Sequence, residues 1–142
     1  MVKMKKLDLM TENEFQLISV KDAVVDFVKE SGIQNGVVFI ITAHTTSSIM
    51  VNENLKCLYT DIEATLEQMI PTVHDYAHSH FLPSYGATGG NAPGHLKSML
   101  CGNHAVFPIQ DGEIQCGMAQ DIFFAEFDGP QMRHYFIQVQ GE

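Results

Sequence analysis

The spacing of apolar residues along this chain changes often enough to mark out its elements. Val2, Met4, Leu7 and Leu9 alternate with lysines and other polar residues over positions 2–10. After the polar Thr11-Glu12-Asn13 turn, Phe15, Leu17 and Ser19 carry the period of two onward. This predicts a hairpin of two half-buried strands. The period then lengthens. Ala23, Val24, Phe27 and Val28 recur at helical spacing, Ser19 and Asp22 have the form of a capping box, and Gly32 stands where a C-cap glycine belongs. A helix of about three turns is predicted between them.

Residues Gly36–Ala43 form an unbroken β-branched and aromatic run, the pattern of a strand covered on both faces. Ile49–Val51 predicts a second short strand ending at Asn52-Glu53-Asn54. Leu58, Ile62, Leu66, Met69 and Ile70 then fall at helical spacing, with Pro71 as the stop. From Leu82 to Gly94 there is no apolar period and much Gly, Pro, Ser and Asn, which predicts a loop long enough to be functional. His95–Leu100 predicts a short helix behind Pro93-Gly94. Ala105–Ile109 and Ile114–Cys116 flank Asp111-Gly112, a hairpin turn signal. Ile122–Phe127 is a further apolar strand, broken by Asp128-Gly129-Pro130, and Tyr135–Val139 alternates to the end. The order ββαββα–loop–ββββ is that of one α+β domain over residues 1–142, with mostly antiparallel sheets and two main helices.

Charge narrows the partners. The 142 residues carry a net charge of −9 with only eight Lys and Arg, which argues against a nucleic acid or an anionic membrane surface. Lys3, Lys5, Lys6, Lys21 and Lys29 sit near the start, so an anionic substrate would lean on Lys97, Arg133, backbone N–H groups or a metal ion. No run is as long and apolar as a membrane span, and the first ten residues lack the apolar core of a signal peptide. Three cysteines, Cys57, Cys101 and Cys116, without CxxC spacing suggest reduced thiols in a cytoplasmic protein. Cys101 has only Lys97 as an electropositive neighbour in sequence, so a small buried hydrophobe is its expected role.

The candidate chemistry gathers between His74 and His104, which hold five of the seven histidines: His74, His78, His80, His95 and His104. His44 closes the predicted Gly36–Ala43 strand and precedes Thr45-Thr46-Ser47-Ser48. A ligand or base at a strand end is held firmly in place, whereas the plainer alternative is a turn histidine satisfied by the hydroxyls. His78 and His95, with His80 close by, can join His44 around a divalent metal, since neutral imidazole suits zinc and its neighbours. Three histidines would leave a coordination position open, the form of a catalytic site. Solvent-facing loop histidines are the plainer alternative. Asn52, Glu53 and Glu126 are candidates for orienting those rings. Glu126 lies within the apolar run IFFAEF, where a carboxylate is costly unless it is paired or faces solvent. Gly86, Gly89 and Gly90 lack the GK[ST] ending of a phosphate loop.

Several of these stretches together resemble the YjbQ family of small bacterial and archaeal proteins. They are HTTSS (44–48), NEN (52–54), Tyr76-Ala77-His78, NAPGHLK (91–97), PIQDGEIQCG (108–117) and QDIFFAEFDGP (120–130), in the family's order from Gly36 to Glu142. The resemblance implies an α+β domain with two packed sheets, a homotrimer with sites near subunit contacts, and a secondary thiamine-phosphate synthase activity. It carries a polar cluster onto His44, Thr45, Asn52, Glu53, His78, His95, Lys97, Gln120 and Glu126, and Asn91 of the NAPGHLK stretch joins the candidate ligand-binding set. Two features depart from the family. Gly117-Met118-Ala119-Gln120-Asp121 stands where a Gly-Thr-Trp-Gln-Gly pattern is usual, and the 79–94 loop has an additional SYGATGG.

Three functions are compatible with these residues. A synthase would join a pyrimidine pyrophosphate to a thiazole phosphate, with His44, Glu53, Lys97 and Glu126 as catalytic groups. Thr45, Asn52, Asn91 and Gln120 would hold the phosphorylated small-molecule ligand, and a divalent metal, Zn or Mg, would neutralise the leaving pyrophosphate. A metal-dependent hydrolase or lyase would place its metal on His44, His78 and His95. A trimeric binding module would use the same cluster without chemistry.

Overall fold

The computed structural model describes residues 1–79, 81–82, 86–87 and 90–142, the two short segments in the middle by their backbone alone. Ten strands and three α-helices are described. In chain order they are β1 (Val2–Met10), β2 (Gln16–Ser19), α1 (Lys21–Ser31), β3 (Gly36–Thr42), β4 (Ser47–Asn52), α2 (Lys56–Met69), a 3-10 turn (Ala77–Ser79), β5 (Phe81–Leu82), β6 (Gly86–Ala87), α3 (Ala92–Cys101), β7 (His104–Gln110), β8 (Glu113–Ile114), β9 (Asp121–Glu126) and β10 (Met132–Gly141).

The strands form a five-stranded antiparallel sheet, β1-β10-β3-β7-β8, and a three-stranded one, β2-β9-β4. Between them lies one core. Val38 and Ile40 of β3, Phe107 of β7 and Ile137 and Val139 of β10 meet Ile49 of β4 and Ile122 and Phe124 of β9, with Val24, Phe27 and Val28 of α1 packed into the same cluster. The other face of the small sheet carries α2 and α3. There Ala125 and Phe127 pack with Leu66 of α2, and Ile62 and Cys101 border them. The expected α+β architecture of two packed antiparallel sheets is therefore present, with the two main helices as α1 and α2 and the expected short helix as α3.

Several local expectations are corrected. Residues 2–10 and 15–19 do not form a hairpin: β1 pairs with β10 along its whole length, and β2 pairs with β9 in the other sheet. A period of two identifies a half-buried strand but says nothing about its neighbour. Thr11 makes the crossing between sheets. It is buried, its N–H donates to the Gln131 carbonyl (2.9 Å), and its hydroxyl donates to Glu126 Oε1 (2.7 Å). Ser19 does not cap α1. The N-cap is Val20 without a side-chain bond, and the Ser19 hydroxyl donates to Asp121 Oδ1 instead. Gly32 does close the helix, at φ 74°, where the absence of a Cβ makes the left-handed turn inexpensive.

The strand covered on both faces is β9, not β3. Ile122 to Glu126 are all buried, whereas Val37, Phe39 and Ile41 of β3 remain partly exposed on the outside of the large sheet. The expected loop from Leu82 begins with a two-rung ladder between β5 and β6 and ends earlier than expected, because α3 starts at Ala92. Pro93 is accommodated in the first turn, where no intrahelical donor is lost. The Asp111-Gly112 turn forms as expected, with φ of 53° and 78°, the positive pair of a tight hairpin.

Candidate functional site

The hydroxyls that follow His44 serve the fold. Ser47 Oγ and Thr42 Oγ1 are 2.7 Å apart, Ser48 Oγ donates to the Gly102 carbonyl (2.5 Å), and Ser98 of α3 donates to the Ser47 carbonyl (2.6 Å). The first ties β4 to β3, and the other two hold α3 and its C-cap against the first half of β4. Thr46 accepts a hydrogen bond from Arg133 Nη2 (2.7 Å). Thr45 is exposed.

Arg133 and Glu126 form the one buried ion pair among the described residues, at 3% and 0% side-chain exposure. Arg133 donates to both carboxylate oxygens, from Nε at 2.8 Å and from Nη2 at 2.5 Å. Thr11 and the N–H groups of Phe127 and Asp128 complete the acceptor shell of Glu126. Burial alone would push the carboxyl up, but the bonds from Arg133, Thr11 and the Asp128 N–H together hold it below its ordinary value. Of the two alternatives for Glu126, pairing is the one found. It does not face solvent, and its oxygens are taken by Arg133, Thr11 and backbone N–H groups rather than by a histidine. Alternation along β10 held the clue, since Arg133 shares the inward face with Tyr135, Ile137 and Val139 and so requires a buried partner.

The candidate histidines fall into two pairs. His44 stacks on His134 with ring centroids 5.7 Å apart, and its Nε2 accepts the His134 backbone N–H at 2.8 Å. Burial, with the nearby Arg133 and His134, lowers its pKa, in keeping with a neutral acceptor ring. His134 Nδ1 lies 2.5 Å from Asp8 Oδ1. His78 and His95 face one another, centroids 4.9 Å apart and planes tilted by 59°. Among the described residues no group of three or more His, Cys, Asp and Glu is arranged to hold a metal ion. The expected set of His44, His78 and His95 is thus not brought together: the one Nε2 that His44 would offer is occupied by backbone. His80 lies outside the described residues.

The other candidates divide between the two ends of the small sheet. In the β4–β9 ladder Ser47 faces Glu126 and Asn52 faces Asp121, about 17 Å apart along a six-residue strand. Asn52, Glu53 and Gln120 lie exposed at the far end. Asn52 Oδ1 accepts the Glu53 N–H, and Gln120 Oε1 accepts the Gly117 N–H. Asp121, the unusual residue of this segment, accepts from Ser19 and from Asn54, which also receives the Tyr59 hydroxyl. A shallow depression of about 300 Å³ lies there, with the exposed Met118 on its rim. The additional loop residues 84–90 lie mostly outside the described residues.

At the near end is a deeper cavity of about 420 Å³, between α2, the first turn of α3 and the turn after β9. Asn91, Pro93, Gly94 and Lys97 form one wall, and Glu14, Glu63, Glu67 and Asp128 supply carboxylates. Lys97 is its one cation among the described residues. Its side chain is 12% exposed, and Nζ lies 3.6 Å from Glu67 Oε2. Glu67 is held below its ordinary pKa, first by the Thr72 N–H and hydroxyl bonds (2.7 Å each) and further by Lys97. Asn91 Nδ2 donates to Asp128 Oδ2 (3.0 Å), while its Oδ1 is buried without a partner. A Cβ on Gly94 would lie 3.0 Å from the Phe127 carbonyl and 3.4 Å from Thr46 Cβ, so the absence of a side chain lets α3 seat against the segment organised by Glu126 and Arg133. The sequence singled out Asn91 and Lys97. It did not single out Glu14, Glu63, Glu67 or Asp128, because acidic residues on a helix or turn look the same whether they face solvent or a cavity.

Cys101 is free and partly buried beside the α2–α3 cluster, and burial pushes its thiol up, as suits a packing residue. No helix among the described residues is long and apolar enough to cross a membrane.

Relatives match nearly the whole chain. A protein of Methanothermobacter thermautotrophicus described as UPF0047 protein is 36% identical over 138 residues, covering 97% of this chain and 92% of that one. UPF0047 protein YugU of Bacillus subtilis is 30% identical, covering 97% and 99%. Among solved structures, a protein of Sulfolobus solfataricus described as YbjQ-like and of unknown function superposes with a TM-score of 0.91 at 31% identity, covering 100% of this chain and 99% of that one. A YjbQ/UPF0047 protein of Clostridium acetobutylicum gives 0.86 at 32%, covering 96% and 99%. The profile of the family described as UPF0047 protein YjbQ-like matches residues 5–142, and the chain belongs to that family.

Proposed function

We propose that the chain handles a small phosphorylated ligand in the cavity between α2 and α3, and that the thiamine-phosphate synthase-type transfer implied by the family resemblance takes place there. The observation that carries this reading is the mixed lining of the cavity. Lys97 and the first turn of α3, with Asp128 bonded to Asn91 beside it, share the cavity with the carboxylates of Glu14, Glu63 and Glu67. A helix N-terminus and a lysine favour an anionic group. Carboxylates favour an amine-bearing ring. An aminopyrimidine pyrophosphate has both ends.

Mg²⁺ suits these oxygen donors, since one or two carboxylates with substrate phosphate are enough to hold it. No three carboxylates among the described residues converge there, so one of Asp128, Glu14 and Glu63 would hold it together with substrate phosphate and water, and the ion would supply neutralisation of the departing pyrophosphate. A zinc ion on His44, His78 and His95 does not fit, because His44 Nε2 already accepts the His134 N–H. In this reading Lys97 binds and orients the anionic end, Asn91 holds Asp128 in place, and Thr72 and Glu67 keep Lys97 aimed across the cavity. Isothermal titration with pyrophosphate in the presence of Mg²⁺ tests it. Lys97→Ala is expected to weaken binding roughly tenfold or more, the worth of a charge-assisted bond. Unchanged affinity would remove the cavity from consideration.

We also infer self-association, with the trimer implied by the resemblance as its form. The outer face of the large sheet supports this. Across it Met4, Gln138, Phe39 and Val106 stand side by side in register, and Val2, Met4 and Val106 are 62%, 60% and 46% exposed. Exposed apolar surface of this extent marks an interaction face.

A further inference from the structure

We propose that His78 and His95 are a two-imidazole site for a divalent transition-metal ion, independent of His44. Three observations converge on it. The rings lie 4.9 Å apart between centroids with planes tilted by 59°. Two imidazoles bound through nitrogen at about 2.0–2.1 Å to one tetrahedral zinc have centroids on the order of 5 Å apart. The centroid spacing therefore matches that of two rings sharing one ion.

Neither ring has a hydrogen-bond partner among the described residues, and His78 Nδ1 is buried without one. A buried ring nitrogen left unpaired is costly, and such an atom marks the place of a missing partner. Moreover, the other unpartnered buried side-chain atom among the described residues is Asn91 Oδ1. Asn91 is the N-cap of α3, and its carbonyl accepts the His95 N–H at 3.3 Å, which places the two residues one turn apart. Both orphaned atoms thus belong to residues beside His95, one in the neighbouring ring and one a turn before it.

The chemistry selects the ion. Neutral imidazole nitrogen prefers zinc, nickel, copper or cobalt over magnesium, which keeps to oxygen. Two protein nitrogens leave at least two positions for water or ligand oxygens, with Asn91 Oδ1 an unclaimed oxygen at the N-cap of α3. Such a site exchanges ligands. A closed structural centre would need four protein donors.

Titration of the metal-free, untagged protein with Co²⁺ and Zn²⁺ tests the proposal, followed by calorimetry, Co²⁺ visible absorption and imidazole NMR signals. The expected result is about one ion per chain in the wild type and in His44→Ala. His78→Ala and His95→Gln should each weaken binding at least as much as loss of an orienting partner does, on the order of 100-fold. Imidazole signals of His78 and His95 should move on Zn²⁺ binding, which reads the site in the unmutated fold. No saturable binding up to millimolar metal would overturn the proposal. So would binding that survives both substitutions, or Zn²⁺ that leaves the His78 and His95 signals in place.

Discussion

Arg133 and Glu126 hold together three segments distant in sequence: Thr11 at the sheet crossing, Thr46 before β4, and the Phe127-Asp128 turn. Removing one partner leaves a buried charge uncompensated, so Arg133→Ala should cost about 3–5 kcal/mol in denaturant unfolding. The pH dependence follows from the direction of the Glu126 shift. Its carboxyl lies below its ordinary value of 4.5 in the folded chain. The pair therefore stabilises fully above the unfolded value and loses its effect as pH falls through the lower, folded one. Acid unfolding monitored by circular dichroism should move to higher pH in Arg133→Ala. His44 titrates in the same sense. Its pKa lies below 6.5, so its contribution is complete above that value and fades as the ring is protonated and the His134 N–H loses its acceptor. An NMR titration that placed His44 above 6.5 would contradict this. Cys101→Ala should lower stability by roughly 1–2 kcal/mol of lost burial and leave pyrophosphate binding intact.

At the scale of elements, much was legible in the residues because single-element signals are local. Gly32, Pro71 and Asp111-Gly112 punctuate the chain where expected, and the helical spacing of Val24, Phe27 and Val28 marks α1. Pairing was not legible. The β1–β10 ladder joins residues more than 120 positions apart, and no alternation within β1 can name that partner. The site shows the same limit. Asn91, Lys97 and His95 could be singled out from one short stretch, but whether His44 would meet them depended on the His134 N–H, which belongs to another strand. Packing at the seat of α3 yields a sharp prediction. Gly94→Ala places a methyl 3.0 Å from the Phe127 carbonyl, and such overpacking typically costs about 1–3 kcal/mol. Thermal unfolding should register that loss together with weaker ligand binding, since α3 must shift to relieve the contact.

Across the whole molecule, the two ends of the small sheet carry different candidates, with Asn91, Lys97 and Asp128 at one and Asn52, Glu53 and Gln120 at the other. If the chain is a trimer, light scattering should give about 47 kDa, three times 15.8 kDa. A charge on the outer sheet face, as in Val106→Glu, should shift the mass toward one chain without unfolding it. A monomeric wild type would contradict the inferred assembly. The cavity between α2 and α3 is tested most directly by an NMR titration of the assigned backbone amides with pyrophosphate and Mg²⁺. The predicted result is saturable shifts at Gly90, Asn91, Gly94, Lys97 and Asp128, lost in Lys97→Ala. Shifts confined to Glu53, Asn54 and Gln120, or none at all, would contradict the account.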